Sequence, residues 1–209
     1  KSEEIGWAIG SGIWGDDSSG AAILGTYNSG ENWDLVWKYP DTEMYSYSLN
    51  SIHATSTSAW AVGESGMIVK YTDQDQWQLQ SPVTDLPLND VFFSDEQTSW
   101  IAGGFSSDDE GFHTILLKTE DGGESWFEIE NVNYLINDFY FFDKNHGFAV
   151  GEDSTGNGVI LKTINGGYNW TIEVDSLSAP LNAVHFKDGY GWAVGVKGLI
   201  LNLDYRKFW

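Results

Sequence analysis

An all-β fold, a β-propeller of about five four-stranded blades, is predicted by three phrases that recur in register along 209 residues. The first is an aromatic, two small or branched residues and Gly. It appears as Trp7-Ala8-Ile9-Gly10, Trp60-Ala61-Val62-Gly63, Trp100-Ile101-Ala102-Gly103, Phe148-Ala149-Val150-Gly151 and Trp192-Ala193-Val194-Gly195. The second is an apolar residue plus Asn, ten or eleven residues before four of those copies: Leu49-Asn50, Leu88-Asn89, Ile136-Asn137 and Leu181-Asn182. The third is a branched run that closes in a turn and a Trp, as in Ile115 to Thr119 followed by Glu120 to Trp126, and Ile160 to Thr163 followed by Ile164 to Trp170. Successive copies of the first phrase lie 53, 40, 48 and 44 residues apart, the period of a blade of four short strands.

Each unit yields four strands in order. The first follows the apolar-Asn pair, as Asp90-Val91-Phe92-Phe93 does. The second carries the aromatic phrase, whose small residues let neighbouring sheets approach while the ring fills the gap between them. Burying one such ring removes roughly 150–250 Å² from water. The third is the branched run ending in Lys-Thr, and the fourth begins at the turn's Trp. The runs are strand-length and none shows helical period. The units fall at about 1–36, 49–80, 88–130, 135–174 and 181–209 of a single domain spanning 1–209. Unit one lacks its first strand and unit five a clear fourth. The chain is therefore read either as an incomplete piece of a larger propeller or as a five-bladed ring closed by its two incomplete ends. Lys1-Ser2-Glu3-Glu4 reads as the start of a processed or excised piece.

The turn between the third and fourth strands has its own chemistry. In Thr119-Glu120-Asp121-Gly122-Gly123-Glu124-Ser125-Trp126 the Asp carboxylate is placed to accept from backbone N–H groups further on. The glycines supply positive φ. Asn165, Gly167 and Trp170 repeat the pattern, as do Asn28 and Trp33 in the first unit. Thr72 to Trp77 is a shortened copy without glycine, and the last has decayed to Asp204 to Trp209.

This turn resembles the Asp-box, Ser/Thr-x-Asp-x-Gly-x-Ser/Thr-Trp, the bacterial neuraminidase repeat. Taken with the apolar-Asn strand and the phrase Gly191 to Gly195, the chain resembles the photosystem II stability/assembly factor family of β-propellers. The resemblance covers nearly the whole chain and implies the propeller fold. It also implies an extracellular, periplasmic or cell-surface location in a bacterium, since related propellers are widespread in exported bacterial proteins. Sialidases share the turn, but they clamp their substrate carboxylate with three arginines, and this chain has Arg206 alone. The arginine patch associated with the assembly factors has no counterpart for the same reason.

Composition narrows the partners. Thirty-one acidic and ten basic residues give a net charge of −21. Such a surface repels phosphate backbones and anionic membranes, which argues against nucleic acid. It favours cations, basic proteins or neutral ligands. No stretch of 18 apolar residues is present, so no membrane insertion is expected. With no cysteine there is no thiolate chemistry. His53 and His185 share one repeat position with Phe92 and Tyr140 and read as strand residues, while His113 and His146 lack metal-ligand spacing.

Acidic insertions between the second and third strands supply the candidate binding residues. They are Ser11 to Gly20 with Asp16 and Asp17, Gly104 to His113 with Asp108, Asp109 and Glu110, and Glu152 to Gly158 with Glu152 and Asp153. In a propeller these insertions share one face with the connections between blades, such as Trp37 to Tyr47. The expectation is a recognition face for a cation or basic partner; three solvated loops would read the same way. No metal site and no cofactor are expected, because none of the loops has the spacing of a known calcium loop, although calcium stays the one ion the acidic loops leave open. No catalytic residues are assigned. The leading reading is a non-catalytic binding or scaffold module of an exported bacterial protein, for protein interaction or adhesion. The alternative is a carbohydrate-active module, lectin-like or glycan-hydrolysing, with Trp14, Trp37 and Tyr45 as exposed sugar-stacking rings. The partner is thus a protein or a glycan.

Overall fold

The computed structural model describes residues 4–13, 19–39, 47–72, 76–107, 111–130 and 132–204. Among the described residues eighteen strands form five antiparallel meanders. Sheet one holds β1 (Gly6–Ile13), β2 (Ser19–Thr26) and β3 (Asp34–Lys38). Sheet two holds β4 (Leu49–Ala54), β5 (Ala59–Gly63), β6 (Ile68–Tyr71) and β7 (Trp77–Leu79). Sheet three holds β8 (Leu88–Phe93), β9 (Ser99–Ser107), β10 (Gly111–Thr119) and β11 (Phe127–Glu128). Sheet four holds β12 (Leu135–Phe141), β13 (Gly147–Glu152), β14 (Gly158–Thr163) and β15 (Thr171–Leu177). Sheet five holds β16 (Leu181–Lys187), β17 (Tyr190–Gly195) and β18 (Ile200–Asp204). The inner strands β4, β8, β12 and β16 pack in that sequence, each beside the next, and β1, which carries the aromatic phrase of a second strand, lies beside β4, so the sheets follow one another around a common axis. Sheets one and five have three strands each.

The core lies between sheets. One apolar cluster fills each of the four seams. The recurring ring of the second strand is its centrepiece: Trp60 stacks on Phe93 of the next sheet at 3.8 Å, Trp100 on Phe141 at 3.6 Å and Phe148 on Phe186 at 5.0 Å. All three are at most 1% exposed. Opposite them in register stand Lys70, Lys118 and Lys162. The Lys70 and Lys118 ammoniums lie 5.5 and 5.6 Å from the Trp60 and Trp100 ring centres. Trp192, the fifth ring, is 46% exposed, with Val194 and Ile200 exposed beside it. Among the described residues nothing covers this face of the fifth sheet.

The apolar-Asn pair does more than open a strand. The inner strand begins at the apolar residue, or one before it at Leu135 in β12, at least two positions earlier than the sequence suggests, and the register slips at the Asn in all four copies. A bulge of this kind re-aims a side chain. Here it swings the amide sideways to the neighbouring sheet: Asn50 donates to the Leu88 carbonyl (2.9 Å), Asn89 to Ile136 (3.2 Å) and Asn137 to Leu181 (2.8 Å). Each acceptor carbonyl belongs to the residue just before the next Asn, so one rule is repeated from sheet to sheet.

The acidic insertions are hairpins more than loops. β1 and β2 stay paired to Ile13 and Ser19, and β9 and β10 to Ser107 and Gly111. Extra residues lengthen the ladder because each added pair satisfies its own backbone hydrogen bonds, which a floppy loop would leave to water. Asp16, Asp17, Asp108, Asp109 and Glu110 lie outside the described residues.

Candidate functional site

A groove of about 670 Å³ runs along the axis, lined by the inner strands β4, β8, β12 and β16 and by Trp192 and Val194 of β17. Alternation along a strand sends every second side chain toward it. This produces two tiers. Ser51, Asp90, Asp138 and Ala183 form one, and His53, Phe92, Tyr140 and His185 the other. The second tier is a row of rings, with centroids 4.9 Å apart from His53 to Phe92, 5.9 Å from Phe92 to Tyr140 and 5.3 Å from Tyr140 to His185. His53, Phe92 and Tyr140 are half-buried and His185 is exposed. Burial lowers the His53 imidazole below its usual pKa, with the nearby Asp90 charge opposing.

In the first tier two carboxyls face each other across a seam. The Ser51 hydroxyl donates to Asp90 Oδ1 at 2.6 Å. The Phe139 N–H is shared between Asp90 Oδ2 (3.1 Å) and Asp138 Oδ1 (2.9 Å), and the Val184 N–H donates to Asp138 Oδ2 at 2.6 Å. Both carboxyls thus bind a backbone amide of the following sheet. Burial, then the Asp90 charge, pushes the Asp138 pKa up to about 8, so Asp138 keeps its proton at neutral pH.

This proton has a consequence for stability. An unfolded Asp ionises near pH 3.9, while Asp138 in the fold holds its proton up to about pH 8. The folded state therefore binds more protons across that window, and stability falls as pH rises through it. Asp138→Asn keeps a donor toward Asp90 without the charge. Its stability relative to wild type should rise between pH 5 and pH 8 by on the order of 2 kcal/mol. Urea midpoints at pH 5, 6.5 and 8 check this; parallel curves for the two proteins would refute the raised Asp138 pKa.

The sequence-predicted residues are placed as follows. Glu152 ends β13, where burial, with Asp153 beside it, raises its carboxyl pKa. Asp153 turns inward on its own loop, accepting from the Thr155 N–H (2.8 Å), the Thr155 hydroxyl (2.7 Å) and the Asn157 N–H (3.1 Å). Those bonds, the Thr155 hydroxyl foremost, hold its pKa below the usual range. Asp153 is thus committed to a turn. Trp37 is half-buried against the seam between sheets one and two, beside Tyr39, because its strand faces that seam; it is not the exposed sugar platform the sequence suggests. Trp14 and Tyr45 lie outside the described residues. Among the described residues no three His, Cys, Asp or Glu side chains converge on a point where a metal could sit. None of the described helices is long and apolar enough to cross a membrane.

At the turns, Asp121 Oδ1 accepts from the Glu124 and Ser125 N–H groups at 3.1 and 3.0 Å, and Oδ2 from the Ser125 hydroxyl at 2.5 Å. These bonds hold its pKa at about 2, the Ser125 hydroxyl contributing most. Asn165 accepts from the Asn169 N–H and Asn28 from the Asn32 N–H, both at 3.0 Å. Gly123 and Gly167 have φ of +77° and +82° and sit under the Trp60 and Trp100 indoles of the preceding sheet, where a Cβ would come within 2.7 and 2.9 Å of the ring nitrogen. Trp126 and Trp170 pack against the seams on either side of sheet three, while Trp33 is 44% exposed.

Sequence reasoning missed Asp90 and Asp138. The signal was there: they directly follow the motif Asn in two adjacent units, where Ser51 and Ala183 stand in the others. Without knowledge that neighbouring inner strands bring these positions together, two Asp 48 residues apart carry no message.

No protein-family model matches the chain, and no curated protein matches it. Solved structures do. YCF48 from Cyanidioschyzon merolae superposes with a TM-score of 0.64 at 19% identity, over 88% of this chain and 61% of its own. The Niastella koreensis GH74 enzyme NkGH74 gives a TM-score of 0.65 at 13% identity, over 87% of this chain and 33% of its own. The chain thus spans about three fifths of the first and one third of the second. At these identities the likeness is one of fold, and in fold the chain is a YCF48-like β-propeller.

Proposed function

We propose that this chain is a non-catalytic, protein-binding propeller module of an exported bacterial protein, and that its axial groove is the binding surface. The observation that carries the proposal is the division of labour between the two tiers. The carboxyls of Asp90 and Asp138 are occupied by the hydroxyl and amides that staple adjacent sheets. The ring row His53, Phe92, Tyr140 and His185 stays accessible to a polypeptide laid along the axis. Aromatic surface beside a strongly acidic background suits a peptide carrying apolar and basic residues. Export is supported by the net charge of −21, which keeps a protein dispersed in salty surroundings.

The test is a random-peptide display selection against the full chain, repeated with a Tyr140→Leu/His185→Ala variant whose melting temperature matches wild type. Peptides that bind the wild type and lose at least tenfold in affinity for the variant are expected. Binders indifferent to the change, or none at all, would overturn the assignment of the groove.

A carbohydrate-active module is the second reading. One feature favours it: Asp138 stands in a groove lined by His53, Phe92, Tyr140 and His185, where burial pushes its pKa up toward that of a general acid. Reducing-sugar release from a glucan panel, abolished by Asp138→Asn, would establish it over the binding reading.

A further inference from the structure

A second concavity, separate from the axial groove, lies where sheet one hands over to sheet two. Its volume is about 140 Å³. Tyr39, just past β3, and Tyr47, just before β4, form two of its walls, with ring centroids 4.9 Å apart and planes tilted by 51°. Met67, Leu79 and Pro82 add apolar surface. The polar lining comes from Glu64 and Ser65 on the tight turn after β5 and from Gln80 after β7. Glu64 is half-buried, and among the described residues its carboxylate has neither a hydrogen-bond nor an ion-pair partner. The pocket opens at the end of the sheets where the inner strands begin, which is also where Asp90 and Asp138 stand on theirs.

We propose that this pocket seats the terminal ammonium of a lysine side chain from a protein partner. The proposal rests on the pocket alone and holds whatever occupies the axial groove. Four features select that ligand. A carboxylate partly withdrawn from water and left without a counter-charge favours a cation. The electron-rich faces of two tyrosines attract the same charge. Two rings tilted by about half a right angle make a wedge that fits a compact ammonium, whereas a planar guanidinium or a sugar ring prefers one flat face. The volume is well below the roughly 300–1,000 Å³ of pockets for larger ligands, and it accommodates an ammonium with its last methylenes against Met67 and Leu79.

The experiment uses the full chain carrying ¹³C-methyl methionine. The sequence has two methionines, Met44 and Met67, so a Met44→Leu sample identifies the Met67 signal. N-acetyl-lysine methylamide is titrated against its neutral counterpart, N-acetyl-norleucine methylamide. The lysine probe should shift the Met67 methyl saturably, with a Kd on the order of 1–10 mM, as a single side-chain head allows. The norleucine probe should not. Glu64→Gln should weaken the lysine probe about fivefold or more while leaving the Met67 signal and melting temperature of the free protein in place, and Tyr47→Leu should weaken it by about two- to fivefold. An equal response to norleucine, a shift that does not saturate, or an unchanged Kd in Glu64→Gln would overturn the proposal. A peptide that binds the axial groove without moving the Met67 methyl bears on the groove alone.

Discussion

Replacing Gly151 with alanine is expected to destabilise the protein by about 3 kcal/mol or more, whereas the same replacement at Gly10 should stay within about 0.5 kcal/mol. Both glycines close the same phrase, so sequence alone treats them as equivalent. In the fold they are opposites. A Cβ on Gly151 would lie 1.9 Å from the Leu135 carbonyl oxygen, and on Gly103 and Gly195 it would lie 2.2 Å from the carbonyls of Pro87 and Pro180. Backbone cannot retreat as a flexible side-chain end can, so the inner strand would have to shift and its bulge with it. Gly10 has nothing within 4 Å of that position, because among the described residues no strand pairs with β1 on the side away from β2 to crowd it. Urea unfolding of the two variants against wild type measures the contrast. Equal losses would mean that the glycine serves the second strand itself, and the close-approach account would fail.

Trp100→Ala should cost about 4 kcal/mol, and Trp192→Ala less than about 1 kcal/mol. Trp100 is fully buried, stacks on Phe141 with planes 6° apart, and donates its Nε1 proton to the Gly166 carbonyl at 2.8 Å. Its removal would leave a cavity between sheets three and four, strand the Gly166 oxygen and uncover the Lys118 ammonium. Trp192 opens the same phrase, has none of these partners across a seam among the described residues, and is 46% exposed. Thermal and urea unfolding followed by circular dichroism would give both values. A large loss at Trp192 would show that its ring already sits against something in solution, and would argue against an open fifth face.

The two contrasts show how far the sequence could be read. Strand order, blade length and the ring that wedges between sheets were all visible, because each depends on residues close together in one repeat. The phrase Trp60-Ala61-Val62-Gly63 states a buried strand wherever it stands. The inner Asn was visible as a marker but not as a staple, since its acceptor lies some 40 residues away in the next unit. The acidic insertions misled for a related reason. Charge and length say that a segment is solvated, but whether it extends a hairpin, as Gly104 to Ser107 does against Gly111 to Thr114, depends on pairing.

By itself the sequence determined the repeating sheet, its turns and the sign of its surface, all of which follow from local periodicity and composition. The tertiary structure decided which copies of an identical phrase are buried and which are bare, and it brought Asp90 to Asp138 and Tyr39 to Tyr47 and Glu64. Those relations depend on which sheet stands beside which. Each is a property of a seam between two units, so neither unit alone encodes it.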